Sequence, residues 1–262
     1  MALLSWIAEQ RELARQLHGH CTALDWLKSA GLWGASLAWS VPVLSGLTVL
    51  SAKCGVPAHR LQPLNRRYVK VQLALLGVDW SAEVDPGVLA EKPYIFVQNH
   101  VNHFDFIICH NATPHYRQGL EREDHFRYPL YGPFMRHRGT IPVRKGESAQ
   151  LEGIRERIRE ELLQGRSLLV FPEGTRTRDG RLGRFRRGIF VIARELRVPV
   201  VPVAVSGMRD LMCAGSVLLK PGAKVQVRVG APRHFADLED EALDAAITEL
   251  REWMMVQVDL GR

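Results

Sequence analysis

The sequence predicts an α/β fold in which helices cover a sheet, preceded by a helical region that associates with membranes. Short β-rich apolar runs alternate with helical patterns from residue 93 onward, and polar clusters follow several of those runs directly. A separate stretch of 24 residues, 29–52, carries no charge. The chain has 262 residues, of which 46% are hydrophobic and 24% charged. This composition suits one domain with an appendage and excludes a disordered chain.

The uncharged stretch 29–52 is the candidate membrane segment. As a straight helix it would reach about 36 Å, enough for a bilayer core of about 30 Å. Pro42 lies near its middle, which favours a broken helix or a hairpin that enters one leaflet over a single span. A buried core hairpin is the alternative. Five bases follow before the first acid at Asp79, which places that side in the cytoplasm.

We expect residues 1–80 to form the helical membrane-associating region and residues 81–262 the α/β domain. Apolar residues at helical spacing over 68–78 predict a third amphipathic helix. Acids interrupt the apolar start of the chain, so no cleavable export signal is expected. The four scattered cysteines predict free thiols in a reducing compartment.

The elements of the α/β part follow from their periodicity. Strands are predicted at 94–97, 140–143, 167–171, 200–205 and 225–229. Helices are predicted at 151–162, at 188–196 and in a closing segment with one apolar face, formed by Leu243, Ile247, Leu250 and Met254.

A histidine and an aspartate follow the first predicted strand. His100 and Asp105 are five positions apart and would not share a helix face, so they meet only if the chain turns between them. A neutral imidazole can remove the proton of an attacking hydroxyl, and a carboxylate on its other nitrogen fixes the tautomer. The alternatives are an ordinary loop histidine and a metal site. The metal ligands would come from His100, His103, Asp105, His110 and His115, whose spacing matches no zinc signature.

A second polar cluster, residues 171–178, follows another apolar strand. Gly174 allows unusual backbone angles, Thr175 offers a hydroxyl, and Arg176 offers a planar fork suited to phosphate. Arg144 and Lys145 follow a third strand. Ligands of open α/β sheets bind at strand ends, so these clusters are expected to converge, although each cation alone also suits a solvated surface.

Four ordered blocks within about residues 93–207 resemble the glycerolipid acyltransferases, especially the 1-acylglycerol-3-phosphate acyltransferases. The blocks are 99–105, 139–144, 171–176 and 198–203. The resemblance implies a mixed sheet flanked by helices. It also implies acyl transfer from a thioester, acyl-CoA or acyl carrier protein, to the free hydroxyl of a lysophosphatidic acid, giving phosphatidic acid. No cofactor or metal is needed for this reaction.

The same resemblance assigns roles to individual residues. His100 would be the general base and Asp105 its orienter, while Pro202 would shape the pocket wall. The residues expected to hold the acceptor are Arg144, Lys145, Glu173, Gly174, Thr175 and Arg176. The family usually has a serine where this chain has Asn102.

The charge distribution indicates the partners. The net charge of +7 hides a segment, residues 176–187, with six arginines and one acid. This segment suits a lysophospholipid acceptor, an anionic acyl carrier and membrane lipids. We expect the domain at the cytoplasmic face of a membrane, the inner membrane if the source is bacterial. Nucleic acid is not expected, because no recognition module is present.

Several alternatives stay open at this point. The acceptor could instead be glycerol 3-phosphate, a lyso-ornithine lipid or another lysophospholipid. A non-catalytic protein that binds anionic lipid and a metal-dependent hydrolase are the alternatives from other classes. Aromatic residues between 126 and 134 suit either an acyl tunnel or ordinary packing.

Overall fold

A mixed sheet lies at the centre of the computed structural model, which describes residues 2–144 and 151–261. The strands in this part of the chain are β1 (Asp79–Val84), β2 (Ile95–Gln98), β3 (Arg117–Arg122), β4 (Ile141–Val143), β5 (Ser167–Val170), β6 (Val200–Ser206) and β7 (Lys224–Val229). Their order is β1-β7-β6-β2-β5-β3-β4. All neighbours pair in parallel except β6 and β7, which are antiparallel.

Helices cover both faces of this sheet, which confirms the predicted fold class. They are α1 (Ala2–His18), α2 (Ala23–Ala52), α3 (Gln62–Leu75), α4 (Asp105–Ala112), α5 (Tyr131–Arg138), α6 (Leu151–Leu163), α7 (Gly188–Glu195), α8 (Met208–Leu211) and α9 (Asp240–Leu260). Short 3₁₀ helices occupy Ala58–Leu61 and Glu123–Arg127.

Strand residues alternate between two apolar cores, as the period of two requires. In β2, Phe96 joins the core beneath α3 and α4, whereas Ile95 and Val97 join the core beneath α6, α7 and α9. In β6, Val203 and Ala204 divide in the same way. The sequence did not predict β1, which is mostly exposed at the sheet edge, or β3, which begins with polar residues.

The uncharged segment forms one continuous helix, so the expected break or hairpin at Pro42 is wrong. Thr22 and Asp25 form a capping box at the start of α2, and the helix runs for 30 residues with Pro42 inside it. A proline removes one backbone donor and crowds the preceding turn. Here α3 bonds Trp39 and Ser40 before Pro42, and α5 bonds Ser51 after it, so tertiary contacts maintain the helix.

One face of α2 is attached to α3 and to the α/β part along most of its length. Ser29 and Trp33 hydrogen-bond the 217–219 segment, Trp39 donates to the Tyr68 carbonyl, and Ser51 donates to the His137 carbonyl. The other face is apolar and exposed. Large exposed apolar side chains of α1 and α2 are Leu4, Trp6, Leu24, Leu27, Leu37, Val41, Val49 and Leu50. By length and composition, α2 is sufficient to cross a membrane.

The N-terminal helices share a core with the sheet. Leu44 and Leu47 of α2 belong to the same buried cluster as Val69 of α3 and Phe96 of β2. The predicted third amphipathic helix is α3, which begins six residues and ends three residues earlier than the predicted 68–78. A division of the chain at residue 80 stays a prediction.

Candidate active site

The carboxyl ends of the parallel strands β2, β3, β4, β5 and β6 lie at one edge of the sheet. His100 follows β2, Glu173 follows β5, and Arg144 directly follows β4. Polar side chains therefore gather where open α/β sheets bind their ligands.

The turn between β2 and α4 brings His100 and Asp105 together. His100 Nδ1 lies 2.8 Å from Asp105 Oδ2, and Asp105 is 1% exposed. The same oxygen accepts the backbone N–H groups of Val101 and Asn102. Asp105 is the first residue of α4, where the helix dipole favours a negative charge. Because an ionised carboxylate only accepts hydrogen bonds, Nδ1 carries the proton and Nε2 is left as the basic nitrogen.

Two further residues contact His100, one at its ring and one at its backbone. The ring of Phe171 stacks on the ring of His100, with centroids 4.0 Å apart and planes at 16°. The Thr177 N–H donates to the His100 carbonyl at 2.9 Å. Sequence reasoning did not assign Phe171 a role, although it opens the 171–176 block.

Asn102 ties the same turn to α8. Its amide donates to the carbonyls of Met208 at 2.6 Å and Met212 at 3.1 Å, and its Oδ1 accepts the Phe104 N–H. The buried amide thus satisfies two carbonyls and one N–H, more bonds than one serine hydroxyl donor can supply.

Glu173 lies inside the protein rather than facing the expected acceptor. It is 5% exposed, and its two oxygens accept the N–H groups of His100 at 2.8 Å and Gly183 at 2.7 Å. Burial raises the pKa of Glu173. Since both oxygens already have backbone partners, the geometry gives Glu173 a positioning role: it links its own block to the histidine turn and to the loop at Gly183.

In the same block Gly174 and Thr175 are exposed, and Arg176 is partly buried. Gly174 has a φ of +67°, which glycine adopts without steric cost. Arg176 Nη1 lies 2.8 Å from His103 Nε2. Partial desolvation of the ring, and then the Arg176 cation, lower the pKa of His103 to about 4. Neutral His103 therefore accepts the guanidinium hydrogen bond and orients Arg176.

Arg144 pairs with Glu123, which begins the 3₁₀ helix after β3. Arg144 Nη2 lies 2.9 Å from Glu123 Oε1, and its Nε contacts the other oxygen. This hydrogen bonding lowers the pKa of Glu123. The pair is exposed, so an incoming phosphate competes with a weak contact. Lys145, also expected here, lies outside the described residues.

Pro202 is a buried β6 residue opposite Val97. The aromatic residues of 126–134 differ in burial. Phe126 is buried and Phe134 packs on the core, whereas Tyr128 is exposed.

The other histidines do not gather around a metal. Among residues 2–144 and 151–261, no group of three or more His, Cys, Asp or Glu side chains is placed to hold an ion. His115 bonds Thr113 and the Leu89 carbonyl. Cys109 is buried, and burial raises the pKa of its thiol, which disfavours a nucleophilic thiolate.

Known proteins resemble this chain in sequence. Residues 82–206 match the family model "Acyltransferase". The chloroplastic 1-acyl-sn-glycerol-3-phosphate acyltransferase BAT2 of Brassica napus is 30% identical over 63% of this chain and 47% of its own length. The lyso-ornithine lipid O-acyltransferase of Pseudomonas aeruginosa is 33% identical over 59% of each chain. The chain spans about half the length of the curated relatives it matches.

A solved structure supports the fold. The 1-acyl-sn-glycerophosphate (LPA) acyltransferase PlsC of Thermotoga maritima superposes with a TM-score of 0.73 at 19% identity, over 89% of this chain and 97% of that one. Together with the family model and the matching blocks, these comparisons confirm the predicted resemblance. Over residues 82–206 the chain therefore matches the acyltransferase family, and its relatives include proteins named as 1-acyl-sn-glycerol-3-phosphate acyltransferases.

Proposed function

We propose that this protein transfers an acyl chain from a thioester to the free hydroxyl of a lysophosphatidic acid and releases phosphatidic acid. One observation carries the proposal: His100 Nδ1 is bound to the buried carboxylate of Asp105, which leaves Nε2 as a base. The relatives named as 1-acyl-sn-glycerol-3-phosphate acyltransferases support the acceptor.

The reaction needs one base and no covalent intermediate on the protein. His100 Nε2 takes the proton of the acceptor hydroxyl as its oxygen attacks the thioester carbonyl. The new C–O bond forms, the C–S bond breaks, and the imidazolium returns the proton to the departing thiolate. Asp105 stabilises the transient imidazolium and keeps its orientation. Phe171 and Glu173 hold the histidine in place from the ring face and from the backbone.

The acceptor phosphate binds at the 174–176 loop. Gly174 allows the left-handed turn, Thr175 contributes a hydroxyl, and Arg176 contributes a charged fork. Arg144 is a second candidate cation once phosphate displaces Glu123. The thioester carrier is coenzyme A or acyl carrier protein, and no further cofactor is required.

The protein binds the cytoplasmic face of a membrane, the inner membrane if its source is bacterial, through α1 and α2. Contacts to the α/β part extend from Ser29 to Ser51, about 33 Å of helix at 1.5 Å per residue. A helix attached over that length has no free span left to cross a bilayer. Its exposed apolar face instead suits insertion into one leaflet.

A product assay with two acceptors tests this function. The purified protein in detergent receives a labelled acyl thioester with lysophosphatidic acid, with lyso-ornithine lipid, or with both in competition. Labelled phosphatidic acid as the main product supports the proposal. Preferential labelling of ornithine lipid would instead support the second candidate, which the 33% identical Pseudomonas relative favours. If no acceptor gives a labelled product, the remaining interpretation is a protein that binds lipid without catalysing acyl transfer.

A further inference from the structure

The arginine-rich segment 176–187 divides into side chains with different partners. Arg187 pairs with Asp240 at 2.8 Å and with Asp244 at 2.7 Å, both on α9. Its neighbour Arg186 turns the other way, onto the backbone of Gly174. Arg186 and Arg187 thus have different surroundings, although the sequence shows only two adjacent positive charges.

The position of Arg186 is fixed by the absence of a side chain at Gly174. A Cβ on Gly174 would lie 2.5 Å from Arg186 Nε and 2.7 Å from Arg186 Cζ, closer than atoms approach. The guanidinium therefore lies directly over the glycine backbone. The Arg186 N–H also donates to the Pro172 carbonyl at 2.8 Å, which anchors its backbone to the start of the same turn.

Arg176 borders this turn from the other end, with its guanidinium held by His103. In the described ranges, 2–144 and 151–261, no carboxylate pairs with the side chain of Arg176 or Arg186. Thr175 lies exposed between Gly174 and Arg176 in the chain. Arg176 belongs to this turn and the side chain of Arg186 lies against it, so an anion bound at the turn would be attracted by both positive charges.

We propose that Arg186 acts with Arg176 as a two-guanidinium site for the acceptor headgroup, and that this site selects a phosphomonoester. The proposal rests on the proposed function. A phosphomonoester near pH 7 carries nearly two negative charges on three oxygens, so it can accept from two forks at once. An ornithine headgroup carries one carboxylate and one ammonium group, and the ammonium is repelled by a second arginine. Arg186 therefore favours the lysophosphatidic acid over the lyso-ornithine lipid.

Neighbouring variants with the same loss of charge provide the test. Arg186→Ala and Arg187→Ala are compared with the parent by measuring kcat and KM with each acceptor. For Arg186→Ala we expect the KM for lysophosphatidic acid to rise about tenfold, the loss typical of a hydrogen-bonded ion contact. Its kcat should stay within about twofold, because the site binds the headgroup before and during reaction alike. Its KM for lyso-ornithine lipid should not rise, and Arg187→Ala should match the parent.

Three results would overturn the proposal: an unchanged KM in Arg186→Ala, an equal rise in Arg187→Ala, or an equal rise with both acceptors. The KM of Arg186→Lys for lysophosphatidic acid should lie between those of the parent and Arg186→Ala, since lysine keeps the charge but lacks the planar guanidinium. Calorimetric binding of a short-chain lysophosphatidic acid to parent and Arg186→Ala is measured without turnover. This readout decides the role of Arg186 even if the product assay finds no acyl transfer.

Discussion

At the scale of single residues, the histidine turn is held mostly by bonds to its backbone. Asp105 accepts two backbone N–H groups as well as the imidazole, and Glu173 accepts the N–H of His100 itself. The base is therefore oriented before any substrate arrives, which is how enzymes lower the cost of reaching the reactive geometry.

Glu173→Gln tests this positioning. A glutamine has one carbonyl oxygen, so its NH₂ group would face one of the two N–H donors of His100 and Gly183. One buried donor is left unpaired, which should lower the free energy of unfolding by about 1–3 kcal/mol. We also expect kcat to fall more than the KM for the acceptor changes. Parent-like kcat and stability would show that Glu173 does not hold the turn.

Asn102→Ala removes the amide that bonds the Met208 and Met212 carbonyls and the Phe104 N–H. Because these groups are buried, we expect a loss of about 1–3 kcal/mol in urea unfolding and a lower kcat. Asn102→Ser supplies one donor, so its stability and kcat should lie between those of the parent and of Asn102→Ala. Equal stability of Asn102→Ala and the parent would contradict this role.

At the scale of elements, α2 has two different faces. Its polar side chains bond the 217–219 segment and α3, while the opposite face leaves leucine and valine exposed. Packing of one face on the domain keeps the helix continuous through Pro42. That leaves the second face available to lipid.

Leu37→Glu with Val41→Glu tests the membrane-facing surface. The two side chains lie one helical turn apart and are 55% and 47% exposed, so folding stability should change little. If they insert into lipid, partitioning to anionic vesicles should fall at least about tenfold, since each buried apolar side chain contributes about 1.5–3 kcal/mol. The matched control is Leu163→Glu on α6, also exposed. Insertion of α2 would be contradicted if the α2 double variant and Leu163→Glu lost vesicle partitioning equally. It would also be contradicted if neither variant lost any.

At the scale of the whole molecule, histidines with a lowered pKa make stability depend on pH, namely His18, His103, His110 and His115. His18 and His103 each have a pKa lowered from 6.5 to about 4, chiefly by desolvation. The unfolded chain therefore binds their protons first as the pH falls. Their contribution to stability is present above about pH 6.5 and is lost between pH 6.5 and 4.

Urea unfolding from pH 4 to 8 measures this effect. The double variant His18→Gln, His103→Gln should lose less stability than the parent across pH 6.5 to 4, because two of the histidines that bind protons more readily in the unfolded chain are gone. Superimposable pH profiles of the parent and the double variant would show that His18 and His103 do not contribute to the pH dependence of stability.

Sequence patterns predicted the parts of the fold and site that depend on local order. The strand before His100, the turn that joins it to Asp105 and the loop of Arg176 follow from neighbouring residues. The inward direction of Glu173, the stack of Phe171 on His100 and the separation of Arg186 from Arg187 depend on segments distant in the chain. Pro42 was misleading for the same reason, because packing by α3 and α5 outweighs its local cost.

The central claim is that His100 is the base of acyl transfer to lysophosphatidic acid. The most direct measurement is the rate of phosphatidic acid formation by His100→Ala in detergent, with its folding verified by urea unfolding. We predict a fall of about 10²–10⁴-fold in kcat, the usual contribution of a general base. A folded His100→Ala protein that makes phosphatidic acid near the parent rate would contradict the claim.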